Sequence, residues 1–197
     1  MFLPEILRSY RERYPGVDLQ IAELEREAQR EAFVRDALDV GFFAFREGEG
    51  EFGHERVATD PLVAILPDTH PAAGRKRVRL ESLSDDPWVL FPRRFRSRYL
   101  ELVHEACGAA GFTPRVVQEA GKMNTLAALV DAGLGVTLLP SMVANWPRAR
   151  VAVRPLAGKA PILPLDVIWR AHQLSPTAAQ FVKLAVELRE ARERGTG

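Results

Sequence analysis

Apolar residues at helical spacing alternate along this chain with short, nearly uninterrupted apolar runs, and the connections are brief, so helices and strands must be layered on one another. Leu3, Ile6, Leu7, Tyr10 and Tyr14 share a helical face, and Pro15-Gly16 stops that helix. VDLQIAEL comes next, with Val17, Leu19 and Ile21 alternating with polar residues as a strand would. A second helix over about 27–37 leads into LDVGFFAF, a run suited to a strand covered on both faces. After the expected loop EGEGEFGHE, the strands PLVAILP and PWVLFP flank a basic connection, RKRVR. A helix over 97–110, the strand PRVVQEA, a helix opening at MNTL and the strand GVTLLP continue the alternation. VAVRPL, LPLDVIWRA and a last helix, with Ser175 as N-cap and Pro176 in its first turn, complete it.

This order predicts an α/β fold of two lobes, 1–66 and 67–162, with residues 163–197 returning to the first. PLVAILP and PLDVIWRA are the expected crossovers.

Composition narrows the function. A formal net charge of +1 argues against a chain whose main task is coating phosphate backbone. The single cysteine excludes an internal disulfide and a four-thiolate zinc site, and it falls on the apolar face of the 97–110 helix, where a buried small side chain is expected. No segment reaches 18 apolar residues and no secretory signal is legible, so a soluble cytoplasmic chain without membrane association is expected. The four histidines are dispersed, and His104-Glu105 lacks the second histidine of a zinc-protease helix. Ser141 lacks the glycine-flanked elbow of a serine hydrolase. No catalytic residue, metal site or cofactor is expected.

Ligands of open α/β sheets collect where strands end and helices begin. Asn124 and Thr125 open the helix after PRVVQEA, where hydroxyl, amide and backbone donors suit a carboxylate or phosphate, although either residue could simply cap the helix. Arg93, Arg94, Arg96 and Arg98 surround the helix start after PWVLFP, as ligand contacts or as solvated charge. Arg26 has the corresponding place after VDLQIAEL. Gly133 and Gly135 lie after a helix and before a strand, the reverse of a dinucleotide loop, so a left-handed helix terminus and a close approach into the strand are expected there.

Taken in order, FLPEILRSYRERYPGVDLQI, LDVGFFAF, PLVAILPDTHP, LESLSDDPWVLFP, AAGFTPRVVQEA, LVDAGLGVTLLPSMV and SPTAAQFVKLAVEL resemble the effector-binding domain of LysR-type transcriptional regulators over nearly the whole chain. LDVGFF and GFTPRVVQEA are nearest to the aromatic-catabolism branch. The resemblance implies a fold like the type 2 periplasmic binding proteins: two α/β lobes with mixed, mainly parallel sheets, two crossover strands, and a small effector between the lobes. Carried over by position, the effector would meet Arg26, Phe43 and Ala44 from the first lobe and Pro92, Arg93, Arg94, Asn124 and Thr125 from the second. The aromatic-responsive branch commonly carries a small and a hydroxyl residue where Glu25 and Arg26 stand here. A cationic pocket favours an anionic effector, a carboxylate, unless Arg26 turns outward.

The resemblance also implies a homo-oligomer, with the first helix packed on the 97–110 helix of another copy. It implies DNA contact only through a winged helix-turn-helix, which is expected to lie outside this chain. The family's domain opens with a strand before its first helix, and here that strand is expected to be lacking, as in a fragment or a gene with a misplaced start. The readings kept beside the regulator are a free-standing solute-binding protein and an enzyme on the same two-lobe fold, such as the tetrapyrrole-forming deaminases.

Overall fold

The computed structural model describes residues 2–45, 51–95, 97–145 and 150–195. They fall into two compact units: residues 1–59 with 164–197, and residues 60–163.

In the first unit, α1 (Leu3–Arg13) buries Ile6 and Tyr10 against α5 (Pro176–Gly195). Each such side chain contributes about 1.5–3 kcal/mol on leaving water. Tyr10 sets its ring edge-on to Phe181 at 5.1 Å and donates its hydroxyl to the Thr177 carbonyl at 2.8 Å. Ion pairs from Arg192 to Glu5 and Arg13 to Glu187 line the same helix seam; being largely exposed, they add little. The start of α5 follows expectation, with Ser175 Oγ accepting the Ala178 N–H at 3.2 Å. Strand β1 (Gly41–Phe43) pairs antiparallel with β7 (Ile162–Arg170), Phe42 opposite Val167. Helix α2 (Arg26–Val34) sends Phe33 into a small core with Phe43, Phe52 and Ile168.

Two sequence expectations change in this unit. Residues 17–24, with their strand-like alternation, form no strand, and Ile21 remains 70% exposed. Alternation gives a segment one apolar face, but a strand also needs a neighbour for its main-chain groups. Part of the expected loop EGEGEFGHE belongs instead to a strand: β2 runs over Phe52–Pro67 and neighbours β7, which recruits polar residues that the pattern alone assigns to a loop. Residues 46–50 lie outside the described residues.

In the second unit, the apolar half of β2 is central. It pairs antiparallel with β5 (Thr137–Pro140) and with β6 (Val151–Pro155), and residues 62–66 are buried throughout. Strands β3 (Pro87–Leu90) and β4 (Arg115–Glu119) are parallel, and Trp88 bridges to Val136 at the head of β5. Helix α3 (Arg98–Ala109) buries Tyr99, Leu102, Val103 and Cys107, and α4 (Met123–Asp131) buries Leu126, Ala127 and Val130. Burial pushes the Cys107 thiol up to about 12, the signature of an inert core cysteine.

Helix α4 ends as its glycine requires. Gly133 has φ +77°, and the N–H groups of Gly133 and Leu134 return to the carbonyls of Val130 and Leu129, the paired bonds of a Schellman terminus. At Gly135 a Cβ would run into the Pro87 carbonyl, so the approach to β5 is as close as expected. No helix among the described residues is long and apolar enough to cross a membrane.

Candidate functional site

The parallel pairing of β3 and β4 brings their carboxyl ends side by side. Leu90 is in register with Glu119, and Ala120 donates its N–H to the Leu90 carbonyl at 3.1 Å. Beyond Leu90 the chain passes a buried Pro92 into a short 3-10 turn, Arg93–Phe95; beyond Glu119 it enters α4 through residues 120–122. The two connections touch. A Cβ at Gly121 would lie 3.3 Å from the Phe95 ring, so that ring packs closely over the loop before α4. The Arg94 guanidinium lies over the same ring, 5.4 Å from its centre. Thus a cation and an aromatic face share one neighbourhood with the loop that leads into a helix.

The N-cap of α4 is Lys122, with no side-chain cap, so Asn124 and Thr125 stand inside the first turn rather than ahead of it. Asn124 Oδ1 accepts the Thr125 N–H at 2.8 Å, satisfying one of the helix's unpaired donors. The backbone N–H groups of Met123 and Asn124, the Asn124 side-chain amine and the Thr125 hydroxyl remain as donor types at this positive helix end. Both side chains are exposed.

The arginines after β3 have different fates. Arg93 is exposed and acts on α3: burial first, and the Arg93 cation second, hold the His104 imidazole below its usual range. Arg98 is committed to its own helix, bonding Glu105 at 2.8 Å and Glu101 at 3.4 Å. Arg96 lies outside the described residues. Among the described members of the group, Arg94 is the cation that shares the Phe95 ring with the approach to α4.

In the first unit, Arg26 is the opening residue of α2, and its guanidinium lies 5.3 Å from the centre of the Phe43 ring. Phe43 ends β1 and is buried; Ala44 follows, half-buried. The next residue, Phe45, is stacked on His54 with ring centres 3.8 Å apart and donates its N–H to the buried Asp166 at 3.0 Å. Asp166 also accepts from Arg56 Nε. The structure therefore brings Arg26 to Phe43 and fixes the backbone just beyond Ala44.

Sequence reasoning passed over three of these determinants: Asp166, the Phe95–Gly121 contact and Asp60. Asp60 accepts the N–H and hydroxyl of Ser141 and the N–H of Met142 at 3.1 Å, holding the turn after β5. A lone carboxylate in the apolar run LPLDVIWRA was the available signal for Asp166. Nothing local marks the other two, whose partners lie far along the chain.

The described residues form two α/β units, and the carboxyl ends of β3 and β4 lie beside the approach to α4. The model of the LysR substrate binding domain family matches residues 1–189, and the chain belongs to that family. The HTH-type transcriptional regulator IlvR of Caulobacter vibrioides is 33% identical over 188 residues, 94% of this chain and 62% of that protein. The chain thus spans about three fifths of that relative's length. The C-terminal domain of a probable LysR family transcriptional regulator from Rhodococcus sp. RHA1 is similar at 27% identity and a TM-score of 0.76, covering 94% of this chain and 92% of that one. The effector binding domain of BenM, solved with its effector benzoate, shares the fold at a TM-score of 0.80 and 21% identity, with 98% and 88% covered. The two-lobe fold expected from the sequence is that of these effector-binding domains.

Proposed function

We propose that this domain senses a small organic anion, a carboxylate, on behalf of a LysR-type transcriptional regulator. The observation that carries the reading is the meeting of Arg94, the Phe95 ring and the loop at Gly121 that leads into α4, whose first turn exposes Asn124 and Thr125. A carboxylate there accepts forked donors from a guanidinium and hydrogen bonds from a helix N-terminus, while an apolar body lies against an aromatic face. Arg26 over Phe43, with Ala44 beside it, offers the first unit's counterpart: a cation and a ring, in keeping with an anionic effector. Pro92 gives the turn beneath Arg93 and Arg94 a fixed backbone.

The domain works by binding rather than catalysis, in line with relatives named as transcriptional regulators. Its effector shifts a conformational equilibrium by the difference in its affinity for the two states, and a regulator of this kind passes that shift to DNA through a winged helix-turn-helix in an oligomer acting in the cytoplasm. Tight binding without such a difference regulates nothing.

The test begins with a thermal-shift screen of aromatic and aliphatic carboxylates beside their uncharged amides, followed by calorimetry on a hit. The double variant Arg94→Ala/Thr125→Ala should lose about 1–3 kcal/mol of binding free energy, the scale of charged hydrogen bonds. Arg98→Ala, which removes a cation already held by Glu105, should leave affinity unchanged. Unaltered affinity in the double variant would sink this placement of the site, and amides that bind as well as acids would remove the anion.

A further inference from the structure

The basic connection RKRVR is not isolated in the folded second unit. Beyond a turn over residues 71–74, Val78 joins Leu156 in a parallel bridge, with the Val78 N–H on the Pro155 carbonyl at 2.9 Å and the Ala157 N–H on the Val78 carbonyl at 2.7 Å. That pairing sets residues 74–79 beside β6 and the turn after it. Two side chains tighten the seam: Arg154 Nε donates to the Ala73 carbonyl at 2.7 Å, and Arg77 Nη1 to the Leu156 carbonyl at 3.1 Å. Residues 74–79 and 150–159 hold seven of the chain's 27 lysines and arginines and none of its 26 aspartates and glutamates. A net charge of +1 therefore conceals a segregated cationic surface.

The charge there is held in place but not cancelled. Arg154 also donates Nη1 to the Val153 carbonyl at 2.8 Å, and a neutral carbonyl fixes a guanidinium without neutralising it. Of the seven cations, Arg79 alone is in an ion pair among the described residues, a 3.8 Å contact with Glu81 in which both side chains are exposed. Asp86, on the connection into β3, is taken by His70 at 3.1 Å. Arg75, Lys76, Arg77 and Lys159 are exposed, and Arg154 is half-buried. Like charges gathered in this way raise the local potential, which an anion lowers.

The surroundings decide which anion. Among the described residues, no exposed large hydrophobic side chain falls in 71–79 or 150–159, and the exposed neighbours of the cations are Gly74, Pro155, Ala157 and Gly158. A protein partner would need an aromatic or aliphatic centre, and a membrane an inserting apolar residue or a lipid anchor. A nucleic-acid duplex needs only grouped cations, since it presents one negative charge for about every 1.7 Å of its axis.

We propose that this surface of the second unit, formed by Arg75, Lys76, Arg77, Arg154 and Lys159, binds the phosphate backbone of duplex DNA without reading its sequence. The contact is additional to the winged helix-turn-helix that the family resemblance implies. It shares no residue with the proposed carboxylate site and stands whether or not a carboxylate binds there. In a DNA-bound regulator it tethers the effector domain to the duplex.

Fluorescence anisotropy tests this, with the 197-residue chain titrated into two labelled duplexes of unrelated sequence, each of about 30 base pairs, at about 50 to 200 mM salt. Both duplexes should bind alike, and more weakly as salt rises. Arg75→Glu/Lys76→Glu leaves the bonds of Arg77 and Arg154 in place and should lower affinity at least about tenfold. Lys183→Glu/Arg194→Glu, an equal change of charge at exposed positions of α5, should lower it about twofold or less. Arg75→Ala/Lys76→Ala should flatten the slope of log K against log salt by about 2, one for each phosphate contact removed. Affinity weaker than about 100 μM at the lowest salt would overturn the proposal, as would equal losses in the two glutamate variants or binding confined to one duplex. Vesicles containing phosphatidylserine that bind more tightly than either duplex, and are released by Arg75→Glu/Lys76→Glu, would assign the surface to a membrane and overturn the DNA reading.

Discussion

Asp166, a fully buried carboxylate in β7, accepts the main-chain N–H of Phe45 at 3.0 Å and so fixes the backbone two residues beyond Phe43, the ring that lies beneath Arg26. Arg56, about two-fifths exposed, supplies the countercharge without which so dry a carboxylate would be costly. One side chain thereby joins β1, β2 and β7 of the first unit, beside a proposed ligand contact.

Asp166→Ala leaves the Phe45 N–H without its acceptor and Arg56 free to turn into water. The loss should be about 1–3 kcal/mol of stability, read from urea midpoints, since the buried donor is abandoned while the exposed cation can be rehydrated. Asp166→Asn keeps an acceptor and should cost less than the alanine. If both variants unfold with the wild-type midpoint, the carboxylate does not hold the end of β1.

Asp60 makes the same kind of claim in the second unit, where it takes three donors from Ser141 and Met142. Asp60→Ala should cost about 1–2 kcal/mol, as loss of a good cap does, and should speed amide exchange at Met142. Ser141→Ala removes only the hydroxyl and should cost less than half as much. A reversed order would mean that Ser141, not Asp60, organises the turn.

The sequence marks the helices well because each carries an apolar face at helical spacing and several carry punctuation: Ser175-Pro176 before α5, Gly133 after α4. It marks the fully buried strands β3 and the apolar half of β2, where a run without polar residues has no other place in a domain. It misleads at residues 17–24, because local alternation cannot report whether a neighbouring strand is present, and before Val57, because pairing with β7 is not written locally. For the site, chemical type and strand-end position single out Arg94 and Thr125, whereas the Phe95–Gly121 contact, between residues distant in sequence, needs the β3–β4 register to exist. The dissimilar roles of Arg93, Arg94 and Arg98 are likewise a matter of which way each extends, which four nearly adjacent arginines cannot reveal.

Two glycines should respond to alanine with opposite signs. Gly133 holds φ +77° at the end of α4, with open space where a Cβ would go, so the penalty is purely one of backbone conformation; Gly133→Ala should cost about 1 kcal/mol. Gly108 lies within α3, also with open space around it and no positive φ, so Gly108→Ala should gain a few tenths of a kcal/mol to about 1 kcal/mol. Thermal midpoints of the two single variants decide the matter, and a stabilising Gly133→Ala would contradict the Schellman terminus.

The buried thiol of Cys107 should give the domain an alkaline limit. Its pKa is raised in the folded state, to about 12, from an ordinary value of 9.0, because burial penalises the thiolate. Between pH 9 and about 12 the unfolded chain therefore holds fewer protons at this site than the folded one, and stability falls as pH rises; below pH 9 the contribution is fully present. Tyr99, buried with its hydroxyl donated to the Leu138 carbonyl at 2.6 Å, is shifted upward chiefly by burial and acts in the same direction above pH 10. Urea midpoints at pH 7, 8.5 and 10.5 should agree for the first two and drop at the third, with about 1–2 kcal/mol of the drop traceable to Cys107. Cys107→Ala fits the same pocket with a small cavity and has no proton to lose, so it should be less stable at pH 7 yet lose less on going to pH 10.5. At neutral pH the native thiol should also resist a disulfide reagent that reacts at once in urea. A Cys107→Ala protein that lost as much stability as wild type at pH 10.5, together with rapid native labelling, would show that the thiol is neither buried nor held protonated by the α3 core.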